Sequence, residues 1–297
     1  MVTPAATTVA RVEESEEVEE SVIEVRSLTF AYPGTAPQLS DMSLRLPAGA
    51  RCLLCGSNGS GKTTLLSILA GKCMVDKDAV QVLGRPPFHD TALTCNGDLS
   101  FLGSQWRRNV SFAGYDVPLQ GDFPAGRMIY NMEGADLERR ERLVKMLDID
   151  PTWSMMQVSD GQRRRVQICL GLLKEYKVLL CDEITVDLDI IGRLDLLNFL
   201  QQECSERGAT IIYATHIFDG MEKWLTHLAF VEDGQLKKAG HVSTVPELQR
   251  DEKLLRVMER WLREERSKRD EGAEKRKKQD ETPMRNLLPA KHMAYMS

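Results

Sequence analysis

The chain has 297 residues, 42% of them hydrophobic, and a formal net charge of −5. This composition is sufficient for a large buried core and excludes disorder throughout, and the acidic balance gives no support for a broad nucleic-acid surface. No uncharged apolar run approaches the roughly 18 residues that cross a bilayer, and the N-terminus lacks the basic and apolar segments of a secretion signal. We therefore expect a soluble, cytoplasmic protein.

The N-terminal segment, residues 1–21, is predicted to be an acidic disordered tail, because residues 13–20 include six glutamates. After it, residues 22–32 and 42–46 largely alternate apolar and polar side chains and are bounded by Pro and Gly. This pattern predicts antiparallel strands.

A glycine-rich segment, GSNGSGKT at residues 56–63, follows the apolar run CLLC and precedes a helical pattern that ends at Gly71. The spacing GxxxxGK[ST] between a strand and a helix is typical of a phosphate-binding loop. Its glycines let backbone N–H groups surround phosphate oxygens, Lys62 reaches the terminal phosphates and the Thr63 hydroxyl is suited to Mg²⁺. The structural alternative is a glycine-rich turn that merely opens a helix.

Two short apolar runs, KVLLCDE and ATIIYATH, are typical of strands that are covered on both faces. A helical pattern, LDLLNFLQQEC, lies between them, so a parallel sheet is expected. Asp182 and Glu183 end the first run and His216 ends the second, which places all three at the carboxyl edge of the sheet. There Asp182 is suited to hold Mg²⁺, and Glu183 to polarise the attacking water. Two acids after a strand could instead cap a helix, and a histidine there is often structural.

The middle of the chain, residues 106–175, is predicted to form a mostly helical lobe that contains LERRERLVKML, stopped by Pro151, and VQICLGLLK. Between these patterns lies VSDGQRRRV, in which Ser159 and Gln162 have the spacing of a capping box. Arg163 to Arg165 are predicted to form a solvated helix face.

These motifs in this order, with VDLD after Glu183, resemble the ATPase domain of ATP-binding cassette (ABC) proteins over about residues 22–240. The resemblance implies an α/β fold: a RecA-like parallel-sheet core, an antiparallel β subdomain and a helical signature subdomain, with the ATPase domain at 22–245. VSDGQ preceded by DPTWSMMQ is similar to the non-membrane ABC ATPases of plants and fungi, which include plant subfamily I members and a fungal protein associated with a deadenylation and transcription complex.

The resemblance also implies roles for individual residues. Tyr32 in FAYPG would stack on adenine, Gln105 in FLGSQW would sense the γ-phosphate and contact Mg²⁺, and Asp189 would close a loop towards a partner site. Catalysis is assigned to Lys62, Gln105, Glu183 and His216, and Mg²⁺ binding to Thr63, Gln105 and Asp182. The residues assigned to ATP are Tyr32, Gly56, Ser57, Asn58, Gly59, Ser60, Gly61, Lys62, Thr63 and Thr64, with Ser159, Gly161 and Gln162 of a second subunit.

The VSDGQ sequence departs from the usual LSGGQ of this family at Val158 and Asp160. Asp160 places a negative charge near a phosphate site, but an acid in a first helical turn stabilises the helix by about 0.3–1 kcal/mol. We therefore expect Asp160 to stabilise the helix and to point away from the nucleotide.

The C-terminal segment, residues 246–297, is predicted to form an amphipathic helix followed by a charged tail. Its KRKK run at residues 275–278 is interpreted as a solvated charged stretch, with a nuclear address or an RNA contact as the alternatives.

The chain has seven cysteines, an odd number that favours a reducing compartment over a disulfide framework. Cys52 and Cys55 form a CxxC without a second pair, so we expect buried thiols rather than a metal site.

Three functions are open at this point. The first is a soluble ATPase that binds ATP and Mg²⁺, dimerises with itself or another ABC ATPase, and drives a cytosolic or nuclear protein complex. The second is the nucleotide-binding subunit of a transporter whose membrane subunits are encoded separately. The third is an interaction protein that binds ATP with negligible turnover.

Overall fold

The computed structural model describes residues 21–103, 109–112, 115–118, 123–249 and 253–280. Its strands are β1 (Ser21–Phe30), β2 (Leu39–Pro47), β3 (Arg51–Gly56), β4 (Val80–Val82), β5 (Leu99–Leu102), β6 (Asn109–Phe112), β7 (Tyr115–Pro118), β8 (Val178–Asp182), β9 (Thr210–Ala214), β10 (His227–Glu232) and β11 (Gln235–His241). Its helices are α1 (Lys62–Leu69), α2 (Ala92–Cys95), α3 (Ala125–Tyr130), α4 (Leu137–Met146), α5 (Asp160–Leu172), α6 (Ile190–Arg207), α7 (Met221–Trp224), α8 (Pro246–Gln249) and α9 (Leu254–Asp280), with a 3-10 turn at Val242–Thr244.

A six-stranded sheet with the order β11-β10-β3-β9-β8-β5 lies at the centre of the domain. Its strands are parallel from β10 to β5, and β11 pairs with β10 as an antiparallel edge strand. Every residue of β8 (VLLCD) and β9 (TIIYA) is buried, as continuous apolar strands in a covered parallel sheet require. The parallel sheet predicted from these two runs is therefore confirmed.

The two faces of this sheet support separate cores. On β3, Leu53 and Cys55 pack into one core while Cys52 and Leu54 pack into the other, because successive side chains of a strand point to opposite faces. Helix α1 contributes to the core of Cys52 and Leu54, whereas α5 and α6 contribute to the other. The glycine-rich loop and VSDGQ thus precede helices that cover opposite faces. The prediction of buried thiols is also confirmed, and burial raises the pKa of Cys52 to about 12.

A three-stranded antiparallel sheet with the order β2-β1-β4 packs into the same core as α1. Leu39, Met42, Leu44 and Leu46 of β2 are buried and alternate with less buried residues over most of the strand. The predicted antiparallel strands are therefore confirmed, although β1 begins at Ser21, within the segment assigned to the tail.

The predicted helical lobe begins with a hairpin rather than a helix. β6 and β7 pair antiparallel before α3, α4 and α5 follow, so residues 106–175 include a short hairpin that the prediction of a mostly helical lobe did not name. Both strand sequences, NVSF and YDVP, contain valine and an aromatic residue, which favour strands, and Ala-Gly separates them. Helix α4 ends at Met146, before Pro151, because Asp148 adopts a left-handed φ of 49°.

The C-terminal helix α9 packs on the parallel sheet through the predicted apolar stripe. Leu254, Val257, Met258 and Trp261 are buried, and the Trp261 ring meets Phe230 of β10 edge-on with centroids 5.3 Å apart. Residues 266–271 are exposed. Among the described helices, α9 included, none combines the length and apolar character needed to cross a membrane.

Candidate functional site

A tightly curled glycine-rich loop connects β3 to α1. Gly56, Gly59 and Gly61 have φ angles of 148°, 81° and 109°, which residues with side chains rarely adopt. A Cβ atom on Gly56 would lie 2.2 Å from the Val231 carbonyl oxygen, and one on Gly61 would lie 2.5 Å from a methyl carbon of Leu39. The loop therefore needs glycine, and it leads into the N-terminus of α1, where free backbone N–H groups favour an anion.

The Lys62 ammonium group lies inside the curve of this loop. It donates hydrogen bonds to the carbonyl oxygens of Gly56 and Ser57 over 2.9 and 2.8 Å. Burial lowers the pKa of Lys62, while the charges of Glu183 and Asp182 act in the opposite direction. A cation is thus held where the phosphates of a nucleotide would enter the loop.

Asp182, the last residue of β8, brings a carboxylate to the loop. Its side chain is buried, and this desolvation raises its pKa, although a hydrogen bond with the Thr63 hydroxyl opposes the shift. A carboxylate and a hydroxyl oxygen side by side form a hard oxygen donor set of the kind that Mg²⁺ prefers.

Glu183 follows Asp182 in a strained conformation. Its φ of 52° lies in the left-handed region, which costs a non-glycine residue about 1–3 kcal/mol. Its N–H donates to the Ala214 carbonyl oxygen over 2.9 Å, and its carboxylate lies 3.3 Å from Nδ1 of His216. The structure places both side chains at the same edge of the sheet, as their positions after two neighbouring strands led us to expect.

Arg164 contradicts the predicted solvated face for Arg163 to Arg165. It is only 6% exposed, and its guanidinium group donates to the carbonyl oxygens of Glu183, Ile184 and Gly103 over 3.1, 3.2 and 2.7 Å. Burial lowers its pKa. Arg164 therefore holds the strained backbone of Glu183 together with the segment that follows β5.

No local pattern separates Arg164 from its neighbours. Arg164 precedes the buried Ile168 by four residues on α5, but Arg165 precedes the equally buried Cys169 by the same spacing. Arg163 and Arg165 are less buried and pair with acids of the surface, Arg163 with Asp160 and Arg165 with Asp148.

The VSDGQ sequence opens α5 with a complete capping box. The Ser159 hydroxyl accepts from the Gln162 N–H over 3.2 Å, and the Gln162 side chain accepts from the Ser159 N–H over 2.9 Å. A Cβ atom on Gly161 would lie 3.3 Å from the Asp187 carbonyl oxygen, so a small residue suits this turn. The capping box predicted from the spacing is confirmed, and the helix dipole at this end favours an anion.

The resemblance implies ATP hydrolysis, and we predict that Asp160→Gly would leave its steady-state rate within a few-fold of the wild type. The Asp160 side chain is 90% exposed and pairs with Arg163 over 2.7 Å, so it contributes to the helix rather than to a buried site. The variant should lose about 0.3–1 kcal/mol of stability, the value of an acid in the first helical turn. Phosphate-release rates and thermal unfolding test this, and abolished hydrolysis would show that the carboxylate takes part directly.

The remaining predicted residues differ in how far the structure describes them. Tyr32 is 40% exposed after β1, and its ring is nearly perpendicular to that of Phe30, with centroids 5.0 Å apart. Asp189 caps α6 by accepting from the Gly192 N–H over 2.7 Å. Gln105 lies outside the residues that the structure describes.

The loop residues fit a magnesium nucleotide. The Ser60 hydroxyl is fully buried, and within the described part of the chain its oxygen has no hydrogen-bond partner. A Cβ atom on Gly59 would meet open space, so the outer side of the loop is free. The backbone N–H groups, Lys62, Thr63 and Asp182 together supply donors for phosphate oxygens and ligands for Mg²⁺.

Comparisons with known proteins agree with this geometry. A family model described as ABC transporter matches residues 39–186. The chain is 54% identical over 274 residues to ABC transporter I family member 20 of Arabidopsis thaliana, which covers 90% of this chain and 82% of that relative. It is 38% identical over 234 residues to CCR4-associated factor 16 of Saccharomyces cerevisiae, covering 74% and 78% of the two chains.

Among solved structures, the ATP binding subunit of an ABC transporter superposes with a TM-score of 0.66 at 18% identity, covering 82% of this chain and 99% of that one. At this identity the likeness shows that the two chains share a fold. The fold and the extensive identity to the Arabidopsis relative lead to one conclusion: the chain belongs to the ATP-binding cassette family.

Proposed function

We propose that the protein is a free-standing, magnesium-dependent ATPase that dimerises around ATP and acts within a cytosolic or nuclear protein complex. The observation that supports this most directly is the cluster of Lys62, Asp182, Glu183 and His216 at one edge of the parallel sheet. It combines a phosphate-binding cation, a metal ligand and a base, which are the parts that phosphoryl transfer to water needs.

Each residue has a defined task in this proposal. Lys62 and the N–H groups at the start of α1 would bind the terminal phosphates, and Thr63, Asp182 and Gln105 would hold the metal. Mg²⁺, when bound, neutralises charge on the transferred phosphoryl group. Glu183 orients the attacking water and accepts its proton, while His216, 3.3 Å from that carboxylate, keeps it in place.

The division of the site between two elements supports dimerisation. The Ser159 hydroxyl bonds to Gln162 within its own helical turn rather than to residues 56–63. Helix α5 packs on the opposite face of the sheet from α1, the helix that the loop precedes. Ser159 and Gly161 therefore serve a nucleotide held by a second copy or by another ABC ATPase, and two chains arranged head to tail enclose two ATP molecules.

We predict that turnover per chain at saturating Mg-ATP falls at least tenfold when the protein is diluted below the dissociation constant of its dimer, because neither chain alone has both halves of a site. Phosphate release across a dilution series from micromolar to nanomolar protein measures this. An excess of the Glu183→Gln chain should restore the turnover of dilute wild type, because it supplies Ser159 to the nucleotide site of a wild-type chain. A double variant, Glu183→Gln with Ser159→Arg, should not restore this turnover. Constant turnover per chain on extreme dilution contradicts the shared site.

A role in a protein complex is supported by the name of the yeast relative, CCR4-associated factor 16. The name of the Arabidopsis relative, ABC transporter I family member 20, favours the second candidate, a transporter subunit that docks separate membrane proteins. Cell fractionation distinguishes the two. The ATPase of a cytosolic or nuclear complex stays in the supernatant, whereas a transporter subunit sediments with membranes.

A further inference from the structure

Glu265 of α9 is a buried carboxylate for which the hydrolysis scheme has no use. It is 1% exposed, and its Oε1 accepts a hydrogen bond from the Ser57 hydroxyl over 2.5 Å. Its Oε2 is buried without a hydrogen-bond partner among the described residues. A buried carboxylate is costly unless its partners compensate. Its location against the second residue of the glycine-rich loop therefore needs a reason.

Arg269, one helical turn further along α9, completes this contact. Its guanidinium group donates to Glu265 Oε1 over 2.6 Å and to the Ser57 hydroxyl oxygen over 2.9 Å. The Ser57 hydroxyl thus donates to a carboxylate and accepts from a guanidinium group at the same time. Both hydrogen bonds involve charged partners, which makes them stronger than neutral ones.

The same helix also reaches the far end of the loop. Arg269 Nε donates to the Asp233 carboxylate over 2.9 Å, in the turn between β10 and β11. The next residue, Gly234, donates its N–H to the carbonyl oxygen of Ser60 over 3.0 Å. Helix α9 is therefore connected to the loop at Ser57 directly and at Ser60 through this turn.

The base of α9 is fixed to the strand that precedes the loop. The sulfur atoms of Met258 and Cys55 are 3.3 Å apart, both residues are buried, and Cys55 directly precedes Gly56 in the chain. The charge of Glu265 also reaches the loop: burial lowers the pKa of Lys62, and Glu265 is among the carboxylates that oppose this shift. The position of α9 is thus mechanically and electrostatically linked to the phosphate-binding loop.

We propose that Glu265 and Arg269 are positioning residues for nucleotide binding, which hold Ser57 so that the loop keeps its curl and its N–H groups stay directed at the phosphates. Arg269 has a second task, because it neutralises a carboxylate that would otherwise repel the nucleotide. This inference rests on the proposed ATP site and assigns the C-terminal helix a part in it.

The test is a set of point variants in the full chain, because truncation before α9 would remove Met258 and Trp261 and expose the sheet residues they cover, Phe230 among them. Arg269→Ala should raise the dissociation constant of Mg-ATP about tenfold, since it loosens Ser57 and leaves the Glu265 charge unpaired. The rate at saturating ATP should change less than about twofold. Adding Glu265→Gln to Arg269→Ala should recover part of the affinity, because the repelling charge is gone.

Arg263→Ala is the matched control. Arg263 pairs with Glu259 at the same i, i+4 spacing on α9, but both side chains are exposed, so ATP affinity should not change. Calorimetric titration with Mg-ATP gives the dissociation constants, and thermal unfolding shows that each variant is folded. If the contact only stabilises the fold, Arg269→Ala should lower the unfolding temperature and bind Mg-ATP as tightly as the wild type. That result would overturn the positioning role and leave the proposed function intact. A wild-type chain that binds no ATP would instead overturn the proposed function and this inference with it.

Discussion

Glu183→Gln is expected to lower steady-state ATP hydrolysis by about 10²–10⁴-fold, the usual contribution of a positioned general base. Glutamine retains the size of the side chain but does not accept the proton of the attacking water. Lys62 and Asp182 are unchanged, so ATP should still bind and the closed dimer should accumulate. Phosphate release measures the first effect, and size-exclusion chromatography with Mg-ATP measures the second.

Glu206→Gln is the control for this substitution, because Glu206 is an exposed glutamate of α6 and should not affect turnover. A Glu183→Gln chain that elutes as a monomer with Mg-ATP at high concentration would contradict dimer closure by ATP, unless another ABC subunit supplies the second half. Equal phosphate release from wild type and variant would instead favour the third candidate, a protein that binds ATP with negligible turnover.

The parts of the site that sequence predicted well depend on local rules. The glycine-rich loop is recognisable because the φ angles at Gly56, Gly59 and Gly61 need glycine at fixed spacing before Lys62. The capping box at Ser159 is a contact between residues three positions apart, so its spacing is visible in one turn of sequence.

The parts that sequence did not predict depend on contacts between distant segments. Arg164 is an arginine in a run of three, and only its long-range bonds to Gly103 and Glu183 distinguish it from a solvated neighbour. Glu265 follows Ser57 by about 200 residues in the chain, so no local pattern connects α9 with the loop. Charged side chains that are buried through tertiary contacts leave little trace in composition or periodicity.

Arg139→Ala is expected to reduce the free energy of unfolding by about 3–5 kcal/mol, the cost of breaking a buried ion pair by removing one partner. Arg139 of α4 makes two hydrogen bonds to Glu203 of α6, over 2.8 and 2.7 Å, and a third to the Leu172 carbonyl oxygen of α5 over 2.7 Å. Both charged side chains are at most 10% exposed. The substitution would leave Glu203 with Arg207 as its remaining ion-pair partner among the described residues.

Denaturant unfolding of the full chain measures this loss, and Arg142→Ala is its control. Arg142 lies on the same helix but bonds to Gln202 at the surface, so its removal should change stability by less than about 0.5 kcal/mol. Replacing both partners, as in Arg139→Met with Glu203→Leu, should recover most of the loss, because no carboxylate then stays buried after losing one of its two cationic partners. A loss below about 1 kcal/mol in Arg139→Ala would contradict the buried pair.

Since Arg139 joins α4 and α6 to the end of α5, its loss should also loosen the helix that presents Ser159. ATP-dependent dimerisation should therefore weaken in this variant even where it remains folded, and it should return in the double variant.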